Sequence, residues 1–324
     1  MSIITILIIL LALFAIEFFY FKAAAHFNII DRPNSRSSHT ALTIRGGGII
    51  FGIAAILFFC LYQFQYPFFI AGLFLIALIS FLDDILTLNN KIRLFIHLLA
   101  VALLFAQLDL FSMAWYLVII AAIFVIGTIN AYNFMDGING ITGAYSLVAI
   151  GSLYYINQYV ITFTSNELLI ITGLSLIVFN FFNFRKRAKC FAGDVGSVSI
   201  AFIVLFLLLQ LIIKTENLNY LLLLLIYGLD AVTTIIFRVI RKENIFEAHR
   251  AHFYQYWANE RKVSHLLVSM IYALVQLAVN VLIVYWIPNS IFSLCLLLVC
   301  SATIFMVWRF AAEGSARLLD KRVL

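Results

Sequence analysis

Residues 113–143 read M-A-W-Y-L-V-I-I-A-A-I-F-V-I-G-T-I-N-A-Y-N-F-M-D-G-I-N-G-I-T-G, an apolar run that turns polar only at its end. The uncharged part, 113–131, is close to the length a helix needs to cross a bilayer. Asn130, Asn133, Asp136 and Asn139 then follow at a strict spacing of three. On a helix that spacing keeps successive side chains on neighbouring parts of one face, drifting slowly around it. Gly137, Gly140 and Gly143 loosen the backbone where the polar groups gather. Four oxygen-bearing side chains beside a glycine-rich turn suit a hard cation such as magnesium, or a phosphate. A capped helix end with an Asx turn would account for one Asn-Gly. Four polar groups in register at a membrane boundary ask for more.

The same apolar texture runs through the whole chain. Its 324 residues are 65% hydrophobic and 11% charged, with a mean hydropathy of +1.08. A soluble protein has no use for so much apolar surface. A bilayer offers backbone groups no partners, and the runs are continuous rather than alternating. The expected fold is therefore all-α: a polytopic transmembrane helical bundle, with residues 1–324 forming one integral-membrane domain. Eleven runs are long enough, near 2–21, 47–65, 67–82, 92–107, 113–131, 141–157, 167–184, 197–213, 219–237, 265–287 and 290–310. Tyr66-Pro67 and Pro288-Asn289 mark tight turns between antiparallel helices. The first run has no basic residue before it and Lys22 after it, which reads as a spanning helix rather than a cleaved leader.

Charge orients the bundle. With the N-terminus outside, 20 of the 21 Lys and Arg residues fall on the inner side and Lys214 alone on the outer. That asymmetry is the positive-inside signature, and it places the C-terminus in the cytoplasm of a multi-pass protein of the cell (inner) membrane. The net charge of +6 is thus a topology signal and an attraction for anionic lipid and substrate, not a nucleic-acid surface. None of the four cysteines belongs to a Cys-x-x-Cys pair, so neither a disulfide framework nor a zinc site is indicated.

The unusual residues collect in the inner loops. The first, Asp31 to Gly48, ends in Arg45-Gly46-Gly47-Gly48 at a helix start. Such glycines let backbone N–H groups approach an anion, or simply ease helix packing, and both readings stand. Arg36, His39 and Arg45 add donors. Asp83 and Asp84 end the third run, with Lys91 beyond them. Carboxylates at a helix C-terminus oppose its dipole and repel each other, so a cation or an incoming phosphate should offset the cost. Gly193-Asp194-Val195-Gly196-Ser197 opens a helix after a basic cluster; Asp194 can hold a metal while the amides near Gly196 and Ser197 face a phosphate. His249, Arg250 and His252 flank one another in the last inner loop, which suits a diphosphate. Glu17 is expected to snorkel to the inner interface, and Asp230, inside an apolar run, to face the bundle interior.

In this order, Asn34-Ser35-Arg36-Ser37-Ser38-His39, Arg45-Gly-Gly-Gly, Asp83-Asp84, Asn130-x-x-Asn133-x-x-Asp136-Gly137-x-x-Gly140, Gly193-Asp-x-Gly-Ser and His249-x-x-His252 resemble the polyprenyl-phosphate N-acetylhexosamine-1-phosphate transferases (the MraY/WecA type, glycosyltransferase family 4). The resemblance spans about residues 31–256, and the joint pattern is specific though each piece is not. It implies transfer of a sugar 1-phosphate from a UDP-N-acetylamino sugar to polyprenyl (undecaprenyl) phosphate, with release of UMP, at the cytoplasmic face. It also implies Mg²⁺, with Mn²⁺ as the alternative ion, held on Asn133 and Asp194. Catalytic positions carried over are Asp83, Asp84, Asp136 and Lys91. Substrate-binding positions are Arg36, His39, Arg45, Asn139, Gly193, Ser197, His249, Arg250 and His252. A homodimer stays open as an assembly.

Asn139 stands where the family has Asp, which leaves fewer negative charges at the metal. His-Arg-Ala-His in place of three consecutive histidines is similar to the branch that primes O-antigen or capsule assembly with N-acetylglucosamine or a 6-deoxy-N-acetylhexosamine. The rival reading is a transporter of anionic solutes, but a transporter places its charges near mid-membrane, whereas these sit at one face.

Overall fold

A computed structural model of the protein describes residues 1–32, 42–86, 88–244 and 249–320. The long helices are α1 (Ile3–His26), α2 (Ile49–Leu61), α3 (Pro67–Leu86), α4 (Asn90–Gln107), α5 (Trp115–Met135), α6 (Ile141–Tyr159), α7 (Asn166–Asn183) and α8 (Gly193–Thr215). A 3₁₀ stretch, Leu218–Leu224, leads into α9 (Leu225–Ile240). The short α10 (Phe253–Gln255) runs into a π-helical turn, Tyr256–Glu260, followed by α11 (His265–Tyr285), α12 (Ile291–Glu313) and α13 (Ser315–Leu319). Strands β1 (Ile30–Asp31) and β2 (Thr43–Ile44) form a small antiparallel ribbon.

Each of the eleven apolar runs falls on helix. Among the described residues nine helical stretches are long and apolar enough to cross a bilayer, with Leu218–Ile240 counted as one. The short α2 and the polar-studded α6 lie outside those nine. Local chemistry sets the ends. Pro67 opens α3, where its missing N–H costs nothing. Asn89 caps α4 through the Lys91 amide at 2.9 Å, and Ser264 caps α11 through Leu267 at 3.3 Å.

Helix α8 is the axis of the bundle. Its apolar window is 83% buried, against 17% for α1, α5 and α12, whose Ile, Leu and Phe side chains face outward as lipid-contacting residues do. It packs on α2, α3, α5 and α6, and Phe206 stacks on Phe69 of α3 at 3.9 Å between ring centroids. Helix α6 joins α11 through polar groups instead. The Tyr145 hydroxyl donates to Gln276 at 2.6 Å, Gln276 donates to Asn280 at 2.6 Å, and Asn280 donates to Ser152 at 2.8 Å.

Two expectations change. Glu17 does not snorkel: it is fully enclosed, with Oε1 3.8 Å from the Cys190 thiol. The spacing-of-three register does not hold as one face either, because α5 ends at Met135. Asp136 leaves the helix, Gly140 turns with φ +86°, and Asn130 is left exposed on the side of α5.

The loop before α8 and the glycine triplet cross at backbone contact. Gly47 N–H donates to the Phe191 carbonyl at 2.8 Å and Gly48 N–H to Ala192 at 3.1 Å. A Cβ on Gly196 would lie 2.5 Å from Gly48 Cα. Gly48→Ala is therefore expected to destabilise the detergent-solubilised protein by about 1–3 kcal/mol through overpacking. Gly127→Ala, which meets nothing within 4 Å, should leave thermal unfolding unchanged.

Candidate active site

The ends of α3, α5 and α7 meet the starts of α2, α4, α6, α8 and α11 at one end of the bundle. Asp84, on the last turn of α3, is wholly enclosed. Its Oδ1 accepts the Asp194 N–H at 3.1 Å and its Oδ2 the Val195 N–H at 3.1 Å, while Arg45 Nε lies 2.8 Å from Oδ1. The C-terminal turn of one helix thus supplies the anion for the N-terminus of another, where the dipole favours it. Gly193 fits this contact with φ +71°, and a Cβ there would fall 2.6 Å from Asp84 Oδ2.

Asp83 points elsewhere. Its Oδ1 accepts the Leu88 N–H at 2.7 Å, and Oδ2 pairs with Arg93 at 2.7 Å. Asp194 lies between the two arginines, 3.5 Å from Arg93 and 3.9 Å from Arg45, and about a quarter of its side chain stays open. Arg93, near the start of α4, went unnoticed in the sequence except as a charge; it bridges Asp83 and Asp194. The cost of the carboxylate pair is offset by two guanidinium groups and two helix-start amides.

A cleft open to solvent lies beside this knot. Of the positions singled out in the sequence, Arg45, Asn133, Asp136, Asn139, Gly193, Asp194 and Ser197 line it. Asp31, Asn183, Gln255 and His265 line it too, and no spacing signal marked them as a group. Asp83, Asp84, Lys91, His249, Arg250 and His252 are not in its wall. Lys91 is exposed at the start of α4. Arg36 and His39 lie outside the described residues.

Several side chains serve the frame rather than the cleft. The Asn139 side-chain amide donates to the Arg185 carbonyl at 2.8 Å, and the Asn139 backbone carbonyl accepts from the Ser269 hydroxyl at 2.9 Å. The Asn183 Oδ1 accepts the Gly140 N–H at 2.7 Å, and its amide donates to the Cys190 carbonyl at 2.8 Å. The Ser197 hydroxyl turns back onto the Gly193 carbonyl at 3.1 Å. Within the glycine triplet, the Gly47 and Gly48 amides are taken by the Phe191 and Ala192 carbonyls, and at the start of α8 the Asp194 and Val195 amides are taken by Asp84. The anion they hold is the protein's own.

Electrostatics separate the remaining groups. Burial pushes the Asp136 carboxyl up to about 7, and the charges of Asp194 and Asp84 push the same way. Burial, then the neighbouring His252, brings His249 down to about 3, so its imidazole is neutral at ordinary pH. No group of three or more His, Cys, Asp or Glu forms a metal cluster among the described residues. Magnesium does not need one, since it keeps waters and takes substrate phosphates alongside one or two carboxylates. Asn133 and Asp194, sharing the cleft with Asp136, are a fitting oxygen set for an ion held jointly with a diphosphate.

The cleft at this end of the apolar bundle is walled by the carboxylates of Asp31, Asp136 and Asp194 and by the guanidinium of Arg45. Residues 66–212 match the profile described as Glycosyl transferase family 4. It is 26% identical over 312 residues, 88% of this chain and 81% of the relative, to the probable undecaprenyl-phosphate N-acetylglucosaminyl 1-phosphate transferase of Bacillus subtilis. It is 29% identical over 225 residues to the undecaprenyl-phosphate alpha-N-acetylglucosaminyl 1-phosphate transferase of Yersinia pestis, covering 63% of this chain but only 61% of that protein. It is 28% identical over 262 residues to the phospho-N-acetylmuramoyl-pentapeptide-transferase of Thermotoga maritima, 72% of this chain and 83% of the relative.

The raised Asp136 gives a pH test. The fold favours the neutral acid, so the stability this adds is complete below the ordinary value of 3.8 and is lost as pH rises through about 7. The metal-free, ligand-free protein is expected to lose thermal stability across that window, and Asp136→Asn to flatten the loss in a melting series.

Proposed function

We propose that the protein transfers an N-acetylhexosamine 1-phosphate, N-acetylglucosamine or a 6-deoxy-N-acetylhexosamine, from its UDP-sugar to undecaprenyl phosphate and releases UMP. The reaction is the first membrane step of O-antigen or other envelope polysaccharide synthesis, at the cytoplasmic face of the inner membrane. The observation that carries this reading is the joining of Asp83, Asp84 and Asp194 by Arg45 and Arg93 beside a cleft that also holds Asn133 and Asp136. The names of the relatives from Bacillus and Yersinia support the acceptor and the N-acetylglucosaminyl group.

In this mechanism Arg45, on the cleft wall, neutralises and orients the donor diphosphate, and the loosely held Asp194 exchanges its arginine contacts for the bound substrate's charge. Mg²⁺ on Asn133 and Asp194 would supply charge neutralisation at the diphosphate. An oxygen of the lipid phosphate attacks the sugar-bearing phosphorus; the new P–O bond forms as the bond to the UMP oxygen breaks, and UMP departs. Asp83, fixed between Arg93 and the Leu88 amide, is a steering carboxylate at the entry to this reaction rather than a strong base. Asp84, enclosed on every side, sets the position of Asp194. Asp136, poised near neutrality, is the group that takes up or returns a proton.

A UMP-release assay with undecaprenyl phosphate, Mg²⁺ and a panel of UDP-amino sugars checks the whole reading. Turnover is expected with UDP-N-acetylglucosamine or a 6-deoxy analogue, not with UDP-N-acetylmuramoyl-pentapeptide, and to stop with EDTA. Asp194→Ala should lower kcat by at least about 10³-fold in a protein that still elutes as a folded monodisperse peak. Retained turnover would remove Asp194 from the reaction.

A further inference from the structure

Asp230 sits on the second turn of α9 and is fully buried. A carboxylate in such a place is costly unless every lone pair is used. This one is saturated. Oδ1 meets His252 Nδ1 at 3.2 Å, the Thr234 hydroxyl at 3.2 Å and the Phe253 N–H at 2.9 Å. Oδ2 accepts the Tyr254 N–H at 3.1 Å and the Tyr272 hydroxyl at 2.6 Å. Arg309 of α12 closes the far side, donating to the Thr233 and Thr234 hydroxyls at 3.0 and 2.8 Å and to the Ala251 carbonyl at 3.1 Å. Residues 251–254 are thus gripped by three helices.

We infer that Asp230 is a positioning residue for the transfer, acting through His252 and the turn that carries Gln255 into the cleft. A carboxylate at Nδ1 keeps that nitrogen protonated and directs Nε2 to the other partner. Nε2 is buried and has no hydrogen-bond partner among the described residues. An unmet buried nitrogen is a standing cost that a bound ligand relieves. The ring stacks on His249 at 4.9 Å and lies 6.3 Å from Phe134, the residue after Asn133. Three residues on, Gln255 lines the cleft, and its Oε1 accepts the His252 N–H at 3.4 Å. The same grip also docks the segment on α5, where Tyr254 donates to the Phe134 carbonyl at 3.0 Å. This positioning role in the transfer rests on the transferase reading above.

The test is a double-mutant cycle on the solubilised full chain, with UMP release normalised to folded protein. Asp230→Asn and His252→Gln are each expected to lower kcat by about 30–100-fold, and the double variant by no more than about threefold beyond the worse single. Multiplying losses, or an Asp230→Asn protein that loses only thermal stability while its folded fraction turns over normally, would overturn the assignment. Should Asp230→Asn fail to fold, Tyr272→Phe removes one hydroxyl from the carboxylate. Its expected loss of about 3–10-fold must vanish in the His252→Gln background, and persistence there counts against the inference. A readout independent of turnover is the ¹⁵N spectrum of histidine-labelled protein. His252 should show the Nδ1-protonated form in the wild type and a tautomer mixture in Asp230→Asn; an Nε2-protonated ring in the wild type would sink the proposal. A locked Nδ1–H tautomer in a protein that releases UMP from no donor would leave the hold of Asp230 on His252 standing and defeat the transferase reading, and with it the role in transfer.

Discussion

The contact between Asp84 and the start of α8 holds the functional end of the molecule together. One carboxylate takes two amides from α8 and a guanidinium from the loop before α2, so three segments far apart in sequence converge on a single enclosed charge. At the end of its own helix that charge is unfavourable; facing the start of another it is favourable, and the second effect acts at hydrogen-bonding distance. Everything beside it follows from the crossing. Gly193 adopts a left-handed turn, Gly48 and Gly196 touch through their backbones, and Asp194 is left half in reach of two arginines. A side chain held that loosely can change partners when a charged ligand arrives.

Buried and open charges divide the labour in this structure. Arg309, Arg238 and Asp230 are enclosed and paired, and act as fasteners. Arg45, Arg93 and Asp194 keep 37%, 30% and 24% of their side chains open, and Arg45 and Asp194 line the cleft. Few charges occupy the middle of the long helices, where a solute path would need them.

Much of this was readable before any coordinates. Continuous apolar runs have one physical outcome in lipid, and each became helix. Asn133, Asp136 and Asp194 were marked by residue type at helix boundaries, and they do share a cleft. What escaped was pairing over distance. The glycine triplet advertises free amides in one dimension, yet the Phe191 and Ala192 carbonyls consume those of Gly47 and Gly48, and nothing local to residues 46–48 says so. Arg93 looked like one more basic residue at a membrane edge until Asp83 and Asp194 proved to be its neighbours. Glu17 was read from its own helix alone, and its enclosure is the work of Cys190 and Gly47. Asn130 kept its place in the repeat but lost its role when α5 ended one turn later, because a three-residue spacing aligns groups only while the helix lasts.

Helix α6 carries a consequence for how the chain is assembled. Its Tyr145, Ser152 and Asn157 make it a poor candidate for lipid on its own, and its polar face is met chiefly by Gln276 and Asn280 of α11, synthesised more than a hundred residues later. During biogenesis α6 must therefore shelter against α7, or near the translocation machinery, until its partner is made. The order of insertion is then not the order of settling: the last part of the bundle to be completed is a helix from its middle.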